Sequence, residues 1–463
     1  MKSFVLVLIA FLGIFAAGWT LRADEPTAET ANPPAAAASD FGLTTQNSEL
    51  TTLPLWREYL SGKRPIRIGL ASAVSQVTLA GEGSFAIFVG EAFLRQGREG
   101  EILTFSGEMK EKMTLAPEEG KAWSVKVNDQ PLAGRYPGKM EIFSTGSGEG
   151  AKITLVNEVP LEDYVAGVVE REMPSSFSVE ALRAQAICAR SYTLYYLGRH
   201  QAEGFDLCAQ THCQIYRGRP DFLGRPVVAA YTTRGQILVF QGQPVRTFYH
   251  STCGGETANG LALSENPTTL PYLLGVPDAQ SRAPLSGEET IASFLGGNSD
   301  SFCSISPKYR WQVSFRAGEI NAIIQANLPT LLKQPDLKPG KVKSMRIAVR
   351  LAARVQALEI ECESGTYSVQ GNDIRWLFRN SDKAKNGLMS TFFSLSISRD
   401  ETGNPIKYTF TGGGWGHGVG MCQYGAEGRA RAGAGALEIL AAYFPGTELW
   451  TEEVIEESEA ANE

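Results

Sequence analysis

Beyond its first two dozen residues the 463-residue sequence has no second long apolar run, no stretch rich in lysine and arginine, and no internal repeat. Each absence excludes a class. Without a second run near 20 residues, the body of the chain does not cross a membrane as a helix. A formal net charge of −7 with no basic cluster offers no general surface for nucleic acid. The glycine-rich GGGWGHGVG at 412–420 lacks the Lys-Ser/Thr ending of a phosphate loop. No cysteine follows the N-terminal apolar run, so a lipoprotein is not indicated.

What is there begins with an export signal. Lys2, the apolar run from Phe4 to Trp19, then Arg22 and Ala23, form a signal-peptide pattern over residues 1–23, with an uncleaved membrane anchor as the alternative. The expected location is outside the cytoplasm, in the cell envelope or periplasm, with the protein soluble or tethered by its N-terminus. Residues 24–55, rich in Ala and Pro, read as a linker, and 451–463 as an acidic, solvated tail. Between them, 56–450 is one functional region. From Pro65 to about Leu155 alternating runs such as IRIGLA, FAIFVG and WSVKV are broken by Gly, Pro and Asn, as in a β-rich module. A helical pair follows, then a loop-rich region from Thr257 to Pro307, then mixed strands and helices, ending in a helix near Ala436–Tyr443. Strands, then helices, then strands again predict an α+β fold.

The helical pair carries the informative residues. Pro160 suits the first position of a helix, and Pro174 forces Met173 out of helical geometry, which bounds a helix from Leu161 to about Glu172. Leu161, Val165, Val168 and Glu172 share one stripe; Asp163, Ala166, Gly167 and Glu170 lie opposite, with Glu170 expected in solvent. An inward Glu172 at the negative end of the helix would have its pKa raised by desolvation and by the dipole. A carboxyl kept protonated near neutrality can protonate the oxygen of a departing sugar. Register alone also allows Glu172 to reach water past a frayed helix end. The second helix, Val179 to about Gly198, is rich in small residues and therefore buried; Gln185, Tyr192 and Tyr196 share one stripe, Arg183 and Arg190 another. A buried Arg190 needs an acidic or carbonyl partner, so it anchors nearby loops or meets substrate.

Seven cysteines in an exported chain suggest disulfides, with at least one left over. Cys188 and Cys422 read as buried thiols, and Cys303 and Cys362 as paired or free. Cys208, His212 and Cys213, with His250 and Cys253 downstream, have the composition of a zinc site. Adjacent His212 and Cys213 on an extended chain would point to opposite faces, so a disulfide among Cys208, Cys213 and Cys253 is the alternative.

Four blocks, VNEVPLEDYVAGVVEREMPSSFSVEALRAQAICARSYTLYY, THCQIYRG, FYHSTCGG and GWGHGVGMCQYGAEGRARAG, resemble the stage II sporulation protein D and amidase-enhancer family of bacterial cell-wall proteins, in the family's order. The resemblance runs from about Pro65 to Trp450. It implies that the substrate is peptidoglycan and that the enzymatic members are lytic transglycosylases of peptide-stripped glycan, with the glutamate of the EMP motif, Glu172 here, as the acid. Glu172 would protonate the oxygen between N-acetylmuramic acid and N-acetylglucosamine, then accept a proton from the muramyl primary hydroxyl as it closes onto the anomeric carbon. No water is consumed, so no second carboxylate and no cofactor is required for catalysis. Candidate glycan contacts are Gln185, Arg190, Tyr192, His250, Trp415, His417, Gln423 and Tyr424, with Trp415 or Tyr424 stacking on a sugar face. His417 is alternatively held by backbone hydrogen bonds in a tight corner. Some family members bind zinc in the Cys208–Cys213 region, and a structural zinc is the one metal implied. Where the family commonly has Ser after GHGVGM, this chain has Cys422. The family's enhancer branch implies a second function, a non-catalytic glycan-binding protein that stimulates a cell-wall amidase.

Overall fold

Alternation of apolar and polar residues is resolved as β-structure wherever one face has a core to meet. In Gln76–Gly81, Val77 and Leu79 are fully buried while their neighbours are partly exposed. The computed structural model describes residues 54–219, 224–263, 270–297 and 300–452. The N-terminal signal or anchor at 1–23, nearly all of the 24–55 linker and the acidic end from 453 onward lie outside the described residues. Among the described residues no helix is long and apolar enough to cross a membrane.

The fold is α+β. A seven-stranded sheet runs in the spatial order Leu207–Cys208, Ile66–Val74, Lys152–Val159, Lys139–Thr145, Met113–Pro117, Phe85–Val89, Ala92–Gly97. A four-stranded sheet, Ile102–Ser106, Gln76–Gly81, Ala122–Val127 and Gln130–Pro137, shares its core. Strand Lys152–Val159 feeds directly into the helix Leu161–Glu172. Pro160 stands one residue ahead of that helix, and Met173 is extended (φ −129°, ψ 145°), as its position before a proline requires.

This first helix is not amphipathic. Leu161, Val165 and Val168 are buried, but so are Asp163, Ala166 and Gly167, and Glu170 is half-buried rather than solvated. The segment 216–219 covers the face expected to meet water. A Cβ on Gly167 would come within 2.3 Å of the Gly218 carbonyl oxygen, so only glycine permits this approach. Asp163 accepts hydrogen bonds from Arg219 (2.9 Å) and from the Tyr231 hydroxyl (2.8 Å).

The second helix, Val179–Tyr195, is buried along most of its length: Ala181, Ala184, Ala186, Cys188 and Ala189 have no exposed surface. Small side chains let strand Gln236–Phe240 approach until the Leu238 N–H donates to Ser191 Oγ at 2.9 Å. A second core lies in the C-terminal half, where helix Ala317–Leu331 packs with the three-stranded sheets Arg310–Arg316/Pro405–Gly413/Phe393–Arg399 and Val342–Leu351/Arg354–Cys362/Thr366–Gln370. The loop-rich region 257–307 also contains helix Glu288–Gly296, which buries Ile291 and Leu295.

Both ends of 56–450 extend further into the fold than their composition suggests. Helix Leu55–Leu60 begins within the expected linker. Thr451, expected in the tail, closes strand Glu448–Thr451 against Gln236–Phe240. Glu452 accepts two hydrogen bonds from Arg57, at 2.7 and 3.0 Å, and the Trp56 and Trp450 rings meet edge to face at 5.8 Å.

Candidate functional site

Glu172 ends its helix at the wall of a cleft of about 390 Å³, whose lining includes Tyr192, Tyr196, Arg199, Gln214, Ile215, Arg246, Tyr249 and His417. Burial pushes its carboxyl up to about 7, against the opposing pull of hydrogen bonds from the Ile215 N–H and the Gln423 side chain. The Ile215 N–H lies 3.4 Å from Glu172 Oε1. Glu172 is the only carboxylate among the described lining residues.

The other expected glycan contacts separate into three groups. Tyr192 and His417 line the cleft with Glu172. Gln185 and Gln423 are buried outside that lining: Gln423 Nε2 donates to Gln185 Oε1 at 3.3 Å while its side chain also bonds Glu172. They orient the acid instead of forming part of the cleft wall. Arg190, His250, Trp415 and Tyr424 are not in the lining either. Arg190 has no exposed surface, pairs with Glu162, and donates to the carbonyls of Gln236 and Ala230 at 3.0 Å each; every arm is used, and it is an anchor. His250 is buried on a short strand paired with Met421–Cys422, its Nδ1 3.1 Å from the Val419 carbonyl. Tyr424 packs edge to face on Phe177 (5.1 Å). Trp415 is exposed, but on a separate depression shared with Lys308, Trp311 and Met389.

The glycine-rich corner explains His417. Gly414, Gly416, Gly418 and Gly420 have φ of 81°, 111°, 86° and 73°, a left-handed path that other residues rarely adopt. It folds His417 so that Nδ1 accepts the Val419 N–H (3.1 Å) and Nε2 faces the Tyr249 carbonyl (2.9 Å), which fixes the neutral tautomer with its proton on Nε2. Burial, with His250 close by, holds its pKa well below the usual value. A ring with both nitrogens engaged and no charge shapes the wall and supplies no proton.

Beside the cleft stands a four-ligand cluster: His200, Cys208, His212 and Cys213, with ligand atoms all within 4.8 Å of one another. The ring nitrogens of His200 and His212 are 3.2 Å apart, and Cys213 Sγ to His200, Cys213 Sγ to His212 and Cys208 Sγ to His212 measure 3.4, 3.7 and 3.8 Å. Tetrahedral zinc, with bonds of about 2.0–2.1 Å to nitrogen and about 2.3 Å to sulfur, sets its donors about 3.3–3.8 Å apart, so these residues fit it. Glu203 holds His200 Nδ1 at 2.5 Å and leaves Nε2 for the cluster. Bound zinc would pin the turn that leads to Ile215.

Two expectations about this cluster are corrected. His212 and Cys213 do converge, because 211–213 is a turn closed by the Cys213 N–H on the Gln210 carbonyl (3.0 Å), not an extended segment. His250 and Cys253 do not belong to it; pairing of Tyr249–His250 with Met421–Cys422 carries that block toward the C-terminal glycines. Sequence reasoning missed His200, which follows the second helix and lies outside the cysteine spacing. It also missed Arg199, Arg246, Gln214 and Tyr249, whose hydroxyl donates to Gln214 Oε1 at 2.9 Å. Gln214 and Tyr249 sit inside the quoted THCQIYRG and FYHSTCGG blocks, so the signal was present.

A family profile for stage II sporulation protein matches residues 149–240, which hold Glu172 and the four-ligand cluster, and a profile described as a domain of unknown function (DUF8618) matches 265–420. The chain is 27% identical to the stage II sporulation protein D of Bacillus subtilis over 64% of its own length and 75% of that protein. It is 27% identical to the amidase enhancer of the same organism, covering 61% of this chain but 40% of the relative. An uncharacterized protein of Brachyspira hyodysenteriae is 29% identical, covering 64% and 68%. Together these matches support the stage II sporulation protein D and amidase-enhancer family for this chain.

Proposed function

We propose that this protein is a peptidoglycan lytic transglycosylase of the cell envelope, cutting the bond between N-acetylmuramic acid and N-acetylglucosamine in glycan strands stripped of their peptides. One observation carries the reading: a single carboxyl near pKa 7 in a cleft with no second carboxylate among the described lining residues. Hydrolysis by the usual route needs two acids, whereas closure of the muramyl primary hydroxyl onto the anomeric carbon needs one group that first gives and then takes a proton. Glu172 gives its proton to the departing glucosaminyl oxygen. As carboxylate, steadied by the Ile215 N–H and Gln423, it takes the proton of the attacking hydroxyl, and an anhydro-muramyl end results.

Two arginines favour peptide-stripped strands. Arg199 and Arg246 line the cleft and lie over the Tyr196 ring at 4.7 and 5.4 Å, and Arg246 Nε is buried without a hydrogen-bond partner. Removal of the stem peptide leaves a free lactyl carboxylate on the muramyl sugar, the anion such a pair would take.

Digestion of purified, peptide-stripped glycan, read by mass spectrometry, tests the proposal: anhydro-muramyl ends are expected. A protein that sediments with glycan but releases nothing would instead be a non-catalytic wall protein acting with an amidase, the reading that the amidase enhancer's name favours.

A further inference from the structure

A second cluster lies in the interior, away from the cleft and from His200: Cys253, Asp278, Cys303 and Cys422, all buried, with ligand atoms within 4.8 Å of one another. Cys253 Sγ stands 3.4 Å from Cys303 Sγ and 3.4 Å from Asp278 Oδ2. Around a tetrahedral zinc, sulfur-to-sulfur and sulfur-to-oxygen edges are about 3.8 and about 3.5 Å, so a small outward movement of the sulfurs admits an ion. A disulfide would require the sulfurs to close to about 2.05 Å.

The surroundings are those of an anionic centre. Backbone N–H groups point at the sulfurs: Cys253 and Gly425 donate to Cys422 Sγ at 3.1 and 3.2 Å, and Gly255 donates to Cys253 Sγ at 3.4 Å. Asp278 is held from behind, its Oδ1 accepting the Tyr443 hydroxyl at 2.7 Å and its Oδ2 the Cys303 N–H at 3.0 Å. Arg310, Arg354 and Arg429 surround the cluster and keep buried N–H atoms without hydrogen-bond partners: Nε of each, and Nη1 of Arg354. Arg354 also donates to the Cys253 carbonyl at 2.8 Å, Arg310 to the Gly254 carbonyl at 2.8 Å, and Arg429 Nε is 3.6 Å from Asp278 Oδ1. Glu256 and Asp278 neutralise part of this charge, and neutral thiols or a disulfide would add nothing further to that. Three thiolates and a carboxylate on a divalent ion carry a net charge of about −2, which offsets much of the positive charge of the surrounding guanidinium groups.

We infer that Cys253, Asp278, Cys303 and Cys422 form a second, structural zinc site that fastens the 265–420 segment, source of Asp278 and Cys303, to the elements bearing Cys253 and Cys422. The three thiols release their protons as the ion binds. The inference is independent of the proposed catalysis.

The test uses the full chain purified without chelator. Elemental analysis is expected to find about two zinc ions per chain, about one in Cys208→Ser/His212→Ala, and about one in Cys303→Ser. Two further measurements do not depend on the folding of Cys303→Ser. Unfolding with alkylating agent and no reductant should label all seven cysteines. Cobalt(II) loaded into metal-depleted Cys208→Ser/His212→Ala should show thiolate-to-metal charge-transfer absorption. A Cys253–Cys303 disulfide in the peptide map, a double variant without zinc, or cobalt without that absorption would each overturn the inference.

Discussion

Glu172 accepts the N–H of Ile215 at 3.4 Å, and Ile215 stands two residues beyond Cys213, a member of the four-ligand cluster. The turn that a metal would pin therefore ends on the acid. Cys208→Ser is expected to lower kcat on peptide-stripped glycan by about tenfold, the lower range for loss of a supporting contact around a metal site, and to speed proteolysis near residue 211. Unchanged kcat in a variant shown to have lost its metal would disconnect the cluster from the acid.

Glu172→Gln keeps the shape of the side chain but can neither give nor recover a proton, so anhydro-muramyl product should fall at least ~100-fold. Glu170→Gln is the control, since Glu170 is not part of the cleft lining. Near-normal cleavage by Glu172→Gln would show that the acid lies elsewhere.

The pH dependence follows from the raised pKa. Reaction needs the protonated carboxyl, so activity should fall as pH rises through about 7, and the limb should be missing from any residual activity of Glu172→Gln. Stability follows the same sign: the folded chain holds a proton that the unfolded chain has lost above ~4.3, so this group's contribution is present below that pH and fades as pH rises through the folded value. Relative to wild type, Glu172→Gln should therefore melt higher at about pH 8 than it does at about pH 4. A wild-type limb at the ordinary glutamate value would remove the burial argument.

Arg199→Ala and Arg246→Ala should raise KM for peptide-stripped glycan with a smaller change in kcat, and the wild-type KM should rise with salt more steeply than that of either variant. Equal salt slopes in all three would mean that no charge on the glycan is met there.

Two flanking prolines sufficed to fix the short helix that ends on Glu172, while register alone left open whether its carboxyl turned inward, and the motif resemblance singled it out. Periodicity misjudged the opposite face, since what buries Asp163 and Gly167 is the distant segment 216–219, and helical register says nothing about which part of the chain will cover a face. The metal ligands divided for the same reason. Local spacing brought Cys208, His212 and Cys213 together, but whether Cys253 joins them or Cys303 depends on strand pairing between Tyr249–His250 and Met421–Cys422, which local spacing does not encode. Composition at the ends was misleading too: an acidic residue in a tail-like context, Glu452, is an ion-pair partner of Arg57.

Arg190 tests the difference between an anchor and a substrate ligand. It is fully buried against Glu162 and the carbonyls of Ala230 and Gln236, so Arg190→Ala leaves a carboxylate and two carbonyls without their donor. Breaking a buried pair in this way costs about 3–5 kcal/mol, which urea unfolding should register as a lower midpoint with an unchanged slope. At a temperature where the variant remains folded, its KM for glycan should equal that of wild type, because the guanidinium does not reach the cleft. A variant of normal stability with a raised KM would return Arg190 to the glycan-binding surface and show that the packing of Arg225–Thr232 and Gln236–Phe240 around it opens when substrate binds.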